Sequence, residues 1–402
     1  MKKKILVIMP SMFIGGAERS LIGLLDSLHR EDIEVSLFLF RHEGELMSHI
    51  PAHVNILPQV DQYTTFDRPI VDLLKSKLFL FGLIRIWSKI ILNIKIKIKR
   101  QNNGVWKSMQ YTSYYISKLL PVIKGKYDLA ISFQGVPFYM KKVNAKKKMA
   151  WIHTDYAILD PDKKMDLKAY RLVDYVVTVS DECKEALDKI YPVLKHKSIM
   201  IENIISKSYV FNQAAMEIDK YDKNILKKDC IFLLSIGRFC EAKNFDNIPE
   251  ICKYIINSGI DIQWNIIGFG GDEELIKSKI KKYKVENYVH ILGKKDNPYP
   301  YIKVCDVYIQ PSRYEGKAVT VREAQILNKP VIITNYATSK SQLIDGYDGI
   351  IVSMDNKSCA KEIIEVIENL KLCDQLIENT KKNDYTNSQE INKVYKILEE
   401  IV

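Results

Sequence analysis

Two short motifs supply the charges needed to handle a sugar attached to a diphosphate. Gly237-Arg238-Phe239-Cys240-Glu241-Ala242-Lys243-Asn244 follows the apolar run 231–236. It offers an arginine fork and a lysine point charge, which together can neutralise a leaving diphosphate. Glu315-Gly316-Lys317-Ala318-Val319-Thr320-Val321-Arg322-Glu323 follows Val307-Tyr308-Ile309-Gln310-Pro311-Ser312. It offers two carboxylates, which accept hydrogen bonds from hydroxyls. Eight residues span a little over two helical turns, so two such glutamates would share a face of a continuous helix. Gly316 instead argues for Glu315 in a loop and Glu323 in the first turns of the helix that follows, with both facing the sheet edge. Each motif lies at the carboxyl end of a predicted strand, where open α/β sheets bind ligands.

Other segments hold candidates of lower specificity. Gly15-Gly16 follows the first predicted strand and precedes a helix, so it reads either as a simple turn or as a loop whose amides approach a phosphate. It is not G-x-G-x-x-G. Gly268-Phe269-Gly270-Gly271 reads equally as a tight turn or as a loop on the sheet edge that carries Arg238 and Lys243. His153 ends a strand in the first half, and its place there allows a substrate role as well as a structural one. Asp160-Pro161-Asp162 matches a D-x-D string, but the proline and the lysines that follow argue for a turn and against a metal.

The elements that must position these groups alternate along 402 residues. Strands are expected at 5–9, 35–40, 129–133, 148–153 and 175–180, then at 231–236, 263–268, 288–292, 306–310, 331–334 and 349–352. Helices are expected at 18–28, 181–190 (with Ser180 as N-cap), 247–258, 273–283, 320–327 and 388–402. This alternation predicts two parallel sheets with right-handed crossovers, joined near 203–226. Seven scattered cysteines without a C-x-x-C pair point to a reducing compartment. The basic start with its short apolar run reads as a first strand and not as a signal peptide.

The net charge of +11 is local. Residues 73–127 hold twelve Lys or Arg and no Asp or Glu, so the remainder is close to neutral. Such a patch points to one surface with an anionic partner and away from general nucleic-acid binding. Within 78–93 the polar or small residues Gly82, Arg85, Lys89 and Asn93 form a narrow stripe on an otherwise apolar helix. An interfacial helix lying on anionic lipid fits this pattern, and Arg85 and Lys89 disfavour a membrane span. An ordinary amphipathic core helix with a basic solvated face is the other reading. From 94 to 99 strict Ile-Lys alternation favours a strand.

Taken jointly, these residues make the chain resemble the retaining glycosyltransferases of family 4, through nearly its whole length and most strongly over 231–352. The E-x7-E pattern is met by Glu315 and Glu323, the diphosphate-binding cations by Arg238 and Lys243, the glycine-rich loop by Gly15 and Gly16, and the acceptor-side histidine by His153. The resemblance implies a GT-B fold: two Rossmann-like doubly wound domains facing a cleft, with domain 1–205 rejoined by a helix at 388–402 and domain 206–387 binding the nucleotide sugar. It implies a nucleotide-sugar donor (UDP-sugar above all), no metal or other cofactor, and catalytic roles for Arg238, Lys243, Glu315 and His153. It places Gly15, Gly16, Gly268, Lys317, Ala318, Val319 and Glu323 at the donor. Lys317 and Ala318 depart from the family's frequent E-G-F-G, which leaves the sugar open. With the basic segment 73–100, the resemblance suggests a lipid-linked saccharide acceptor and peripheral attachment to the inner face of the plasma membrane, as in capsule or exopolysaccharide assembly. An idle GT-B accessory subunit, or a soluble GT-B epimerase or disaccharide synthase, would share most of these motifs.

Overall fold

Apolar runs that are buried on both faces become parallel strands when helices cover each side. The computed structural model describes residues 2–99, 104–154, 156, 159–225 and 230–401. Arg100 of the basic segment, Asp155 beside His153 and Val402 of the last predicted helix lie outside the described residues. The chain divides into two units: residues 1–204 with 389–402, and residues 205–388.

The first unit is built on strands β1 (Lys3–Met9), β2 (Ile33–Leu39), β3 (Asn55–Ile56), β4 (Ile123–Ser132), β5 (Val143–Ile152), β6 (Tyr175–Thr178) and β7 (Ser198–Met200). Their order is β3-β2-β1-β4-β5-β6-β7, and the pairings are parallel. β1 lies in register with β2 from Lys3↔Ile33 to Met9↔Leu39 and with β4 from Ile5↔Leu129 to Ile8↔Ser132. The order reverses between β1 and β4, which makes their carboxyl ends a topological switch point. The edge strands β3 and β7 are too short to leave an apolar run that a sequence reading can find.

The second unit contains β8 (Ile231–Ile236), β9 (Ile262–Ile267), β10 (Val289–Gly293), β11 (Val307–Gln310), β12 (Val331–Thr334) and β13 (Ile350–Val352). Their order is β10-β9-β8-β11-β12-β13, again parallel. The period-two alternation of a strand sends Phe232, Leu234 and Ile236 into one core and Leu233 into the other, where Trp264 and Ile266 meet it. The one hydroxyl in β8, Ser235, is buried but satisfied: it donates to the Ile309 carbonyl (2.6 Å) and accepts from the Trp264 indole (3.0 Å).

Helix starts follow side-chain capping. Ser180 accepts from the Cys183 amide and Asp162 from those of Lys164 and Met165. Asp162 also accepts from the Tyr111 hydroxyl (2.7 Å), and Asp160 pairs with the buried Lys107 (2.6 Å), so both acids of the D-x-D string are occupied in structural bonds.

The basic segment forms one helix, Phe79–Lys99, which corrects one expectation and qualifies another. The Ile-Lys alternation does not make a strand. Helix propagation costs less than a new start, and Ile91, Leu92 and Ile96 pack on the helix Val105–Ile116 while Lys95 lies 5.0 Å from the Tyr111 ring centroid. The expected polar stripe is split: Lys89 and Asn93 are exposed, whereas Gly82 and Arg85 face inward. Gly82 is buried against Leu74, and Arg85 donates inward to the Thr65 and Arg68 carbonyls. Leu80, Leu83, Trp87, Ile90, Ile94 and Ile98 are exposed as well, Trp87 to 53% and Ile98 to 76%. Among the described residues no helix is long and apolar enough to cross a membrane.

The last helix, Ile391–Glu399, belongs to the first unit and buries Ile391, Val394, Ile397 and Leu398 there. Tyr395 donates to the Ser27 carbonyl (2.5 Å) and Lys3 to that of Ile401 (2.5 Å).

Candidate functional site

In the second unit the switch point falls between β8 and β11, which pair through Val307↔Leu233 and Tyr308↔Leu234. The loops leaving these two strands therefore start side by side, although the sequence sets them far apart. The loop after β8 carries Arg238 and, in a short turn Glu241–Lys243, the lysine. The loop after β11 carries Glu315. Lys243 Nζ lies 2.5 Å from Glu315 Oε1, with both side chains mostly buried. The structure thus brings together two of the proposed catalytic residues.

Glu315 is fixed from several directions. Ser312 Oγ donates to the same Oε1 (2.6 Å), and Gln310 Nε2 donates to Ser312 Oγ (2.9 Å). Tyr308 donates to Gln310 Oε1 (2.7 Å), so a buried chain of hydrogen bonds runs from the strand to the carboxylate. The hydroxyl of Thr338 holds the Glu315 carbonyl (2.8 Å). Each member limits the rotamers of the next, which is how a functional side chain is preorganised. The sequence reading missed Gln310, Ser312 and Thr338. The Ser-x-x-Glu spacing was the only local signal for one of them.

Arg238 is exposed and has no ion-pair partner among the described residues. Its loop is anchored through the neighbouring Phe239, whose amide donates to the Phe269 carbonyl (2.8 Å). Gly268 sits at φ +154°, where a Cβ would come 1.9 Å from the Gly237 carbonyl oxygen. Close packing of the β9 exit on the β8 exit therefore requires glycine there, whatever ligand the loop contacts.

Glu323 departs from the expected placement at the sheet edge. It lies in the helix Val319–Ile326 and is 0% exposed, with the Tyr299 hydroxyl donating to its Oε1 (2.6 Å). The helix containing Tyr299 packs against it, which pulls the carboxylate inward. Ala318 and Val319 are buried. The Ala318 amide donates to Gln342 Oε1 (2.7 Å), and Lys317 Nζ donates to the Ser341 carbonyl. The loop after Glu315 is thereby tied to the short helix Ser339–Gln342.

The first unit holds the remaining candidates. Gly15 is the extended N-cap of the helix Gly16–Ser27, with the Glu18 carboxylate folded back over it. His153 follows β5, and its Nε2 lies 3.0 Å from the Phe133 carbonyl, so that nitrogen carries the proton. The ring packs on Phe133 and stacks with Trp151. Burial pushes the imidazole down to about 4, against hydrogen bonds to the Phe133 carbonyl and the Asn203 side chain that raise it. His153 is therefore neutral at pH 7.

Comparison with known proteins agrees with this fold. The two doubly wound parallel sheets are those of the GT-B fold, and HepE of Anabaena, solved with UDP and glucose, superposes with a TM-score of 0.69 over 99% of this chain and 100% of its own at 14% identity. Residues 217–383 match the family model of glycosyl transferases group 1, which covers most of the unit carrying Lys243, Glu315 and Glu323. An uncharacterized glycosyltransferase of Methanocaldococcus jannaschii is 30% identical, over 57% of this chain and 60% of its own length. An uncharacterized 41.2 kDa protein from the cps region of Klebsiella pneumoniae is 27% identical, over 62% and 72%. The N-acetylgalactosamine-N,N'-diacetylbacillosaminyl-diphospho-undecaprenol 4-alpha-N-acetylgalactosaminyltransferase of Campylobacter jejuni is 24% identical, over 47% and 49%. The chain thus spans between about half and three quarters of these relatives' lengths.

Proposed function

We propose that this protein is a retaining glycosyltransferase that moves a sugar from a nucleotide-sugar donor, a UDP-sugar, to a lipid-linked saccharide during the assembly of a cell-surface polysaccharide. The observation that carries the reading is the Lys243–Glu315 pair at the switch point of a GT-B sheet. A diphosphate bears more negative charge than one carboxylate, so it competes for the Lys243 ammonium when a donor enters. Glu315 is then released to accept a hydrogen bond from a sugar hydroxyl. Arg238, exposed on the same loop, adds a second cation at the leaving group, so the protein's own side chains do the work a metal would otherwise do. Glu323, the carboxylate assigned to the ribose end of the donor, is buried on Tyr299 and must turn outward to reach it.

In the transfer step the acceptor oxygen bonds to the anomeric carbon from the face that the diphosphate leaves. The carbon–oxygen bond to the diphosphate breaks, and its electron pair stays on the phosphate oxygen. The acceptor's proton passes to that oxygen. Lys243 and Arg238 stabilise the charge developing there. The neutral His153 suits a hydrogen bond to an uncharged sugar.

The helix Phe79–Lys99 supports a membrane-bound acceptor. Its outward apolar stripe lies among the exposed Lys89, Lys95 and Lys97, in a segment that has no acidic residue. This is the composition of a helix that lies in the headgroup layer of an anionic bilayer, here at the inner face of the plasma membrane. The Campylobacter relative, named for a diphospho-undecaprenol acceptor, supports the same class of substrate.

The test is transfer from a panel of UDP-sugars to polyprenyl-diphosphate-linked saccharides. Lys243→Ala and Glu315→Ala should each lower turnover by at least about 100-fold. Full activity in both variants would remove these residues from the mechanism. Donor binding without turnover on any acceptor would favour an idle accessory subunit.

A further inference from the structure

Lys243 sits in a three-residue turn, and an isolated turn of that length does not hold a long side chain in place. Glu315 holds the ammonium, so another group must fix the turn that carries it. The residue best placed to do so is Arg313, two positions before Glu315 and absent from the motifs read in the sequence. Its amide donates to the Ala242 carbonyl (2.8 Å), and its guanidinium donates to the Glu241 carbonyl (2.7 Å). The same guanidinium grips Asp246, just beyond the turn, in a bidentate pair (3.0 and 3.1 Å). One residue of the β11 loop therefore grasps the β8 loop on both sides of Lys243. Asp246 is buried and also accepts from Lys279 (2.7 Å), which in turn donates to Asn247 (3.1 Å). Burial opposes ionisation of Asp246, yet hydrogen bonds from Arg313 and Lys279 outweigh it and hold the carboxyl below its ordinary range. The clamp is thus charged on both sides at neutral pH.

We infer that Arg313 is a positioning residue: it locks the turn Glu241–Lys243 against the β11 loop and so sets where the Lys243 ammonium meets the donor's diphosphate. The inference rests on the donor-site reading above and deepens it. Lysine cannot replace this arginine, because a single ammonium cannot span a carboxylate and a backbone carbonyl in one fixed fork.

A positioning role predicts damage at one end of the nucleotide only. The probes are UDP, GDP and ADP, then the matching monophosphate of whichever base the wild type binds, all by calorimetric titration. Arg313→Ala should weaken the diphosphate about tenfold, the loss of one charge-assisted contact, and leave the monophosphate within about twofold. Arg313→Lys should fall between. Melting curves establish that each variant is folded, and if Arg313→Ala does not fold, Arg313→Lys carries the comparison. An unchanged preference for diphosphate over monophosphate in the folded variants overturns the inference, as does an equal loss for both ligands, which is what a merely structural role gives. If the wild type itself binds none of the three diphosphates, the donor-site reading fails first and this inference falls with it.

Discussion

At the scale of single residues, the site depends on charges that are paired and on neutral groups kept neutral. Lys243 and Glu315 satisfy each other, so neither is left as a bare charge in a partly closed site, where an isolated ion is costly. His153 shows the opposite case. Its folded value, about 4, lies below the ordinary value of 6.5, so folding favours the neutral ring. The stability this confers is fully present above about pH 6.5 and is lost as the pH falls towards about 4, because the unfolded chain takes up the proton first. Denaturant midpoints between pH 7 and pH 4.5 should therefore fall more steeply for the wild type than for His153→Gln. Parallel curves would show that the imidazole titrates normally. Arg238, Lys243, Glu315 and His153 were legible as candidates from type and local spacing. Arg313 and Tyr299 were not, because each bonds to a group distant in the chain.

At the scale of elements, strand identity was the most readable feature. A parallel strand buried on both faces reads as a near-continuous apolar run, and 231–236 and 331–334 coincide with β8 and β12 residue for residue. The helix Phe79–Lys99 shows where pattern reading loses its hold. Its composition announced an unusual surface, but which side faces out depends on Gly82 meeting Leu74 and on Arg85 reaching the Arg68 carbonyl. The outward stripe leads to a prediction. Replacing Leu83, Trp87 and Ile90 with Gln together should abolish binding to vesicles containing anionic lipid. Since all three are exposed, the melting temperature should move by less than about 2 °C. Cosedimentation with vesicles at wild-type levels would assign the stripe to another partner.

At the scale of the whole molecule, chain order and spatial order part company. The first unit is completed by residues 389–402, whose helix buries four apolar side chains against it. Burial of that many is worth about 6–12 kcal/mol, comparable to the stability of a domain. A chain ending at Ser388 should therefore lose the fold of residues 1–204 and keep that of 205–388. Limited proteolysis should leave a protected core from the second unit, and a full-length protection pattern in the first would show that the last helix is dispensable.

The sequence alone determined the alternation of strands and helices, the concentration of positive charge in 73–127 and the residue types able to handle a sugar diphosphate. These are local properties, set by side-chain chemistry and by the repeat of the backbone. The tertiary structure decided which of those residues meet. Strand order places the β8 and β11 loops side by side, packing against Tyr299 draws Glu323 inward, and neighbouring segments choose the outward face of the basic helix. Each of these outcomes is a contact between positions that no local pattern relates, so only the folded chain could settle it.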